Sequence, residues 1–407
     1  MKQFSIPARY RSPLIASIKK QRKESDKLKK DFSPTKLDLG NLQISLARHF
    51  GFCYGVENAI EIAFATIAEN PGKRIFLLSE MIHNPIVNQD LIDSGLRFLM
   101  DTKGNMLVPF SQLTADDIVI IPAFGTTLAI EETLRNIGIQ IEKYNTTCPF
   151  VEKVWNRAEQ IAMKGYSIIV HGKPTHEETR ATFSHSDAHA PTLVINDMDE
   201  AVILGEFMQG KRDLSTFNDF FRGRFSEGFD PSKDLEKIGV VNQTTMLATD
   251  TQSIADYLKK VISDKYQLNG DSISNHFADT RDTLCYATND NQTAVRILLE
   301  EDADLAIVIG GRNSSNSSHL VELCEEKLPT YFIQSESDLI SASSILAYNW
   351  RTHEEYIKEH FLPDTPNVRI LITSGASCPD AVVEAVIQRL SQLVPGSKLL
   401  EQDFSYN

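Results

Sequence analysis

An α/β protein is what this sequence predicts, and three observations predict it. Near-continuous apolar runs such as LAIVIG and RILITS read as strands of a parallel sheet covered on both faces. A turn rich in Gly, Ser, Thr or Pro and then an amphipathic helix follow many of these runs, which is the alternation of α/β architecture. Three segments, HFGFCYGVENAIEIAF, NTTCPFVEKVWNRAEQ and RDTLCYATNDNQTAVRILL, form a weak internal repeat. Each places a cysteine at a strand end or turn and runs on into a helix with apolar residues three and four apart.

The elements follow in chain order. Residues 1–40 stand apart, because Arg9 to Lys30 is dense in Lys and Arg and poor in large apolar residues. No continuous apolar core marks a secretory signal, and Glu24, Asp26 and Asp31 count against a transit peptide. The expectation is a solvated extension. Strands are expected at Arg74–Leu78, Asp117–Ala123, Ser167–His171, Leu193–Ile195, Lys237–Val241, Asp304–Gly310, Thr330–Gln334 and Val368–Ser374. Helices are expected at Ile130–Asn136, Val151–Lys164 and Ala381–Leu393. Residues 205–235 break the rhythm and read as an insertion, either a lid or a surface excursion, with a short aromatic helix at Phe217–Phe221.

At 407 residues the chain exceeds the ~250–300 that one core supports, so two or three domains are expected. A net charge of -14 argues against a general nucleic-acid binder. No apolar run approaches the ~20 residues that span a bilayer. The five cysteines are too few and too widely spaced for a disulfide framework, which suits a reducing cytosol.

Cys324 lies in the helical run HLVELCEEK and reads as a small hydrophobe; Cys378 sits in a loop among polar residues. Cys53, Cys148 and Cys285 share a strand–Cys–helix context, and a helix N-terminus favours the thiolate that binds metal. Structural zinc prefers four ligands and C-x-x-C pairs, which this chain lacks. Three distant cysteines suit a cubane cluster with one iron left open, able to act as a Lewis acid and to carry electrons.

Polar loops follow several strands. THEETRAT sets His176 two residues from Glu178, a proton-handling pair. GGRNSSNSSHL opens a helix with Ser314, Ser315 and Asn316, an anion-binding arrangement. SGASCPD offers Ser377, NQTTM offers Thr244 and Thr245, and SEMIHNPIV puts His83 in a strand-to-helix turn. Any one of these is also an ordinary Ser or Asx turn. On the same edge of successive α/β units they make a shared anion pocket of neutral donors and histidines.

In family order, GFCYGV, MIHNP, TTCP, HEET, NQTT, LCYAT, RNSSNS and GASCPD closely resemble the 4-hydroxy-3-methylbut-2-enyl diphosphate reductase family over roughly residues 42–395. PAFG at Pro122–Gly125 and the insertion ending in FDPSKDLEKIG resemble its longer, cyanobacterial and plastid branch. The resemblance implies three αβ domains in a pseudo-threefold trefoil around a central iron–sulfur cluster. Their expected bounds are 42–147, 148–283 and 284–395, between an extension at 1–41 and a tail at 396–407. It also implies one [4Fe–4S] cluster on Cys53, Cys148 and Cys285 with an open iron. His83, His176, Ser314, Ser315, Asn316 and Ser377 match diphosphate-binding positions. Thr244 matches the threonine near the substrate hydroxyl, and Glu178 the proton donor. Two departures stand out: Phe124 replaces a histidine of the shorter members, for which His171 is a candidate substitute, and Asn58 stands where many members have Arg.

The implied reaction is reductive dehydroxylation of an allylic diphosphate to isopentenyl and dimethylallyl diphosphate. Its electrons would come from a one-electron donor protein, ferredoxin or flavodoxin. Two other classes stay open. A quinolinate-synthase-like three-cysteine enzyme would lack the HEET and NSSN loops in this order. A non-catalytic iron–sulfur sensor needs neither a diphosphate pocket nor an acid. The expected compartment is the cytoplasm, or the plastid stroma if the extension is a transit peptide.

Overall fold

The computed structural model describes residues 4–28, 30–268, 270–278 and 283–398. Residues 399–407 of the expected tail and residues 1–3 of the extension lie outside the described residues. The chain divides into two compact units: Met1–Glu61, Ile82–Gln89 and Tyr286–Asn407 form the first, and Ile62–Met81 and Asp90–Cys285 the second.

A five-stranded sheet carries the first unit, in the order Thr35–Leu39, Leu42–Leu46, Val368–Ser374, Leu305–Ile309, Thr330–Ile333. The first pair is antiparallel and the remaining pairings are parallel. Val368–Ser374 is the centre, with Ile370 opposite Ile44 on one side and Leu305 on the other. This pairing cuts across the expected domain bounds. Leu42–Leu46 packs with the C-terminal third of the chain because its parallel partner strand lies there, and its alternate residues Leu42, Ile44 and Leu46 are buried.

The solvated extension is not what the structure contains. Ser12 caps the helix Pro13–Ser25, its Oγ accepting from the Ile15 N–H at 2.9 Å. Ile15 and Ile18, three residues apart, are buried, as are Phe4 and Tyr10. The helix rests on Asp380–Leu393. Few apolar residues were needed because those present share one face. The hairpin Ser344–Asn349 with Glu354–Glu359 was also not foreseen, since its second strand is exposed along its whole length and shows no alternation.

Two three-stranded parallel sheets build the second unit: Arg97–Phe98, Ile75–Leu77, Ile118–Ile120, and Thr192–Ile195, Ser167–His171, Ile238–Asn242. The segment 205–235 does not form a lid. Phe217 and Phe221 are buried in one apolar cluster with Phe207, Leu193 and Ile195, and Phe225 packs against it. The backbone at 224–226 bonds to Thr192–Ile195 and covers that edge strand. Among the described residues no helix is long and apolar enough to cross a membrane.

Candidate active site

Each of the three cysteines stands immediately before a helix: Tyr54–Glu69, Pro149–Ala162 and Tyr286–Leu298. The turns are also fixed in similar ways. The Cys53 N–H donates to the Ala376 carbonyl at 3.2 Å, just beyond the end of Val368–Ser374. The Cys148 N–H donates to the Ala123 carbonyl at 2.9 Å, just beyond Ile118–Ile120. Upstream of Cys285, the Thr283 hydroxyl bonds to the Asn242 side chain at the end of Ile238–Asn242. Each thiol therefore hangs from a loop tied to the carboxyl end of a parallel strand, where open α/β sheets bind ligands.

Cys324 and Cys378 are different. Both are fully buried, and burial pushes both thiols up to about 12. They behave as small hydrophobes, which resolves the open reading of Cys378. Among the described residues no three His, Cys, Asp or Glu side chains gather to hold a single metal ion. The thiols of Cys53, Cys148 and Cys285 each stand just before a helix N-terminus, a position that favours the thiolate.

In the first unit the residues expected to bind diphosphate converge. The Ser377 hydroxyl donates to the His83 carbonyl at 3.2 Å. The Ala376 N–H donates to Asn316 Oδ1 at 2.9 Å. A Cβ on Gly311 would lie 2.1 Å from the His83 carbonyl oxygen, so only glycine permits this approach of the two loops. Ser314 caps the helix Ser315–Glu325 through its Oγ, which accepts from the Ser317 N–H at 3.2 Å. One donor in this cluster lacks a partner among the described residues. Asn316 is 4% exposed, its Oδ1 is engaged, and its Nδ2 is buried without a hydrogen bond. A buried donor left unmade costs about 1–3 kcal/mol, so the geometry suits an acceptor supplied by a ligand.

In the second unit Glu178, the residue expected to be the proton donor, is 1% exposed. One carboxylate oxygen accepts from the Thr244 N–H and the other from the Thr244 hydroxyl at 3.0 Å. Thr244, not Thr245, is therefore the partner. Thr245 instead accepts from Gln243 Nε2 at 2.6 Å. The Glu178 N–H donates to His176 Nδ1 at 3.1 Å, capping the helix Glu177–Asp187. Because Nδ1 accepts, a neutral His176 ring carries its proton on Nε2 and presents a donor there.

Gln243 had no role in the sequence reading, although it lies within the quoted NQTT. Its Oε1 accepts from the Lys173 N–H at 3.1 Å and the Thr179 hydroxyl at 2.9 Å, locking the NQTT loop to the HEET loop. His171, the candidate substitute for the histidine missing at Phe124, is buried, and its Nδ1 engages the Thr251 hydroxyl at 2.9 Å. The Phe124 ring meets His176 edge to face, with centroids 5.4 Å apart.

Comparison with known proteins agrees with this architecture. The family model described as LytB protein matches residues 44–391. A protein of Synechococcus sp. (strain WH7803), named 4-hydroxy-3-methylbut-2-enyl diphosphate reductase, is 39% identical over 390 residues, covering 96% of this chain and 92% of the relative. The Picosynechococcus protein of the same name is 38% identical over 386 residues, covering 95% and 90%. Among solved structures, the reductase from Plasmodium falciparum superposes with a TM-score of 0.61 at 22% identity, covering 90% of this chain and 92% of that one. A structure titled as the terminal enzyme of the non-mevalonate pathway gives 0.51 at 24% identity, covering 86% and 99%. At those identities the structures speak for the fold.

Proposed function

The chain belongs to the LytB protein family, and we propose from that membership that it is a 4-hydroxy-3-methylbut-2-enyl diphosphate reductase. It converts an allylic hydroxy-diphosphate to isopentenyl and dimethylallyl diphosphate, the last step of the non-mevalonate route. The observation that carries this reading is the unpartnered Nδ2 of Asn316 in a loop cluster of donors, in a chain that also holds the Glu178–Thr244 pair.

His83, Ser314, Ser315, Asn316 and Ser377, together with His176, hold the diphosphate through neutral donors, so no lysine is needed beside it. The dipole of Ser315–Glu325 adds to the attraction, because its N-terminus opens at the same loop. The Thr244 hydroxyl stands between Glu178 and the substrate hydroxyl. Glu178 supplies the proton with which that hydroxyl departs as water. The balance is two electrons and two protons in, one water out, with the second proton going to either end of the allyl unit. Burial of Glu178 and Thr244 keeps bulk water away from that proton path. A [4Fe–4S] cluster held by Cys53, Cys148 and Cys285, with one open iron, supplies the electrons and a Lewis acid for the hydroxyl when bound.

Two parallel sheets and one mixed sheet, each with a strand end tied to one cysteine turn, support our reading of a pseudo-threefold trefoil. Ferredoxin or flavodoxin is the donor that suits single-electron steps, and a reducing cytosol suits the exposed chemistry of the thiols.

The test is anaerobic purification followed by an assay with the allylic diphosphate and a one-electron reductant. Wild-type protein should show visible iron–sulfur absorbance and form both products. Cys53→Ser, Cys148→Ser and Cys285→Ser should each lose the absorbance, while Cys324→Ala keeps it. A full cluster in any of the first three variants rules out the ligand set.

A further inference from the structure

Residues 9–30 hold nine Lys or Arg side chains against Glu24 and Asp26, in a chain whose net charge is -14. The structure puts this basic segment beside Cys53. The Tyr10 ring packs on Phe52 with centroids 5.9 Å apart, and Phe4 packs on Tyr54 at 5.0 Å. Lys19 bonds to Asp380 at 2.7 Å. With Ile15 and Ile18 turned inward, Arg11, Lys20 and Lys23 face solvent.

Between this helix and the Cys53 loop lies a cavity of about 420 Å³. Lys23, Arg48 and Cys53 line it, with Tyr54 and Tyr286, the residues that directly follow Cys53 and Cys285. Both tyrosines are exposed, at 38% and 42%. Two buried donors in its lining, Arg48 Nε and Asn291 Nδ2, have no hydrogen-bond partner among the described residues. Glu57, Asp290 and Asp380 also line it, and Asp380 is neutralised by Lys19.

We propose that the basic face of Pro13–Ser25, with Arg11 and the mouth of this cavity, is the docking surface for an acidic one-electron carrier protein. The proposal rests on the reductase reading, which makes Cys53 and Cys285 cluster ligands and requires electrons from outside. A carrier seated there lies over the residues next to two of the ligands. Its carboxylates meet the lysines, and one of them can accept from the unpartnered donors in the cavity. Complementary charge of this kind raises association rates and specificity, and redox encounters use small interfaces. A membrane is the weaker occupant, because an interfacial helix needs its apolar face and here Ile15 and Ile18 are already covered.

The experiment uses the full-length holoprotein and an acidic plant-type [2Fe–2S] ferredoxin as the probe. Calorimetric affinity for the ferredoxin should fall as salt rises. Lys20→Glu/Lys23→Glu should weaken it roughly tenfold or more and lower ferredoxin-driven kcat/KM in parallel. Lys20→Gln/Lys23→Gln should give a smaller shift in the same direction. Turnover driven by reduced methyl viologen, a small reductant, should stay unchanged in both variants. Wild-type affinity in the charge-reversed protein overturns the proposal, as does ferredoxin binding insensitive to salt, or retention on phosphatidylserine vesicles in place of ferredoxin. No turnover with either reductant would instead count against the reductase reading, and the calorimetry would still decide the docking surface.

Discussion

Glu178 opens a helix and Thr244 lies 66 residues further on, yet both carboxylate oxygens of Glu178 are engaged by Thr244. Glu178→Gln keeps the shape and one acceptor but cannot release a proton. Turnover should fall by at least the ~10²–10⁴-fold that general acid catalysis supplies, while substrate still perturbs the cluster's electron paramagnetic resonance signal. Glu177→Gln is the control, because Glu177 faces Ser79, and the amide can keep that hydrogen bond. A dead Glu177→Gln beside an active Glu178→Gln would reverse the assignment. Asn316 allows an equally sharp substitution. Asn316→Asp preserves the acceptor for the Ala376 N–H but replaces the unpartnered donor with a negative oxygen facing the diphosphate. KM should rise by the ~1.5–3 kcal/mol of a hydrogen bond to a charged group, or more, with a smaller effect on kcat. Unchanged KM would move the diphosphate away from this loop.

At the scale of elements, strands and helices were legible where burial is complete. Ser167–His171 and Val368–Ser374 fall where the apolar runs put them, because a strand covered on both faces reads as a near-continuous apolar run. The N-terminal helix was missed for the opposite reason: a few apolar residues on one face carry it, and its remaining positions are basic. Its packing has a measurable consequence. Ile15 is 0% exposed, so Ile15→Ala should cost about 2–5 kcal/mol. The urea midpoint of the first unit's transition should drop with little change in slope. A midpoint equal to wild type would return the segment to the status of a solvated extension.

For the whole molecule, the decisive fact is that the first unit is discontinuous in sequence. Leu42–Leu46 has its parallel partner more than 300 residues away, at Val368–Ser374. A chain ending before Val368 loses the central strand of the five-stranded sheet. Limited proteolysis should then cut within residues 35–61, which the full chain protects; continued protection would mean that the N-terminal strands fold without it.

By itself the sequence determined the α/β class, the three turns that set a cysteine before a helix, and the family. All of these are carried by local patterns: apolar runs, residues flanking a helix start, and short motifs in fixed order. Only the tertiary structure decided that Thr244 rather than Thr245 meets Glu178, since which of two adjacent side chains faces a partner depends on backbone direction in the loop. It also decided that Thr251 engages His171 Nδ1, that the Cys378 thiol is fully buried, and that Lys19 of the basic N-terminal helix lies over the Phe50 ring just before the Cys53 turn. Each of these rests on contacts between residues far apart in the chain, and such contacts leave no periodic trace in a linear sequence.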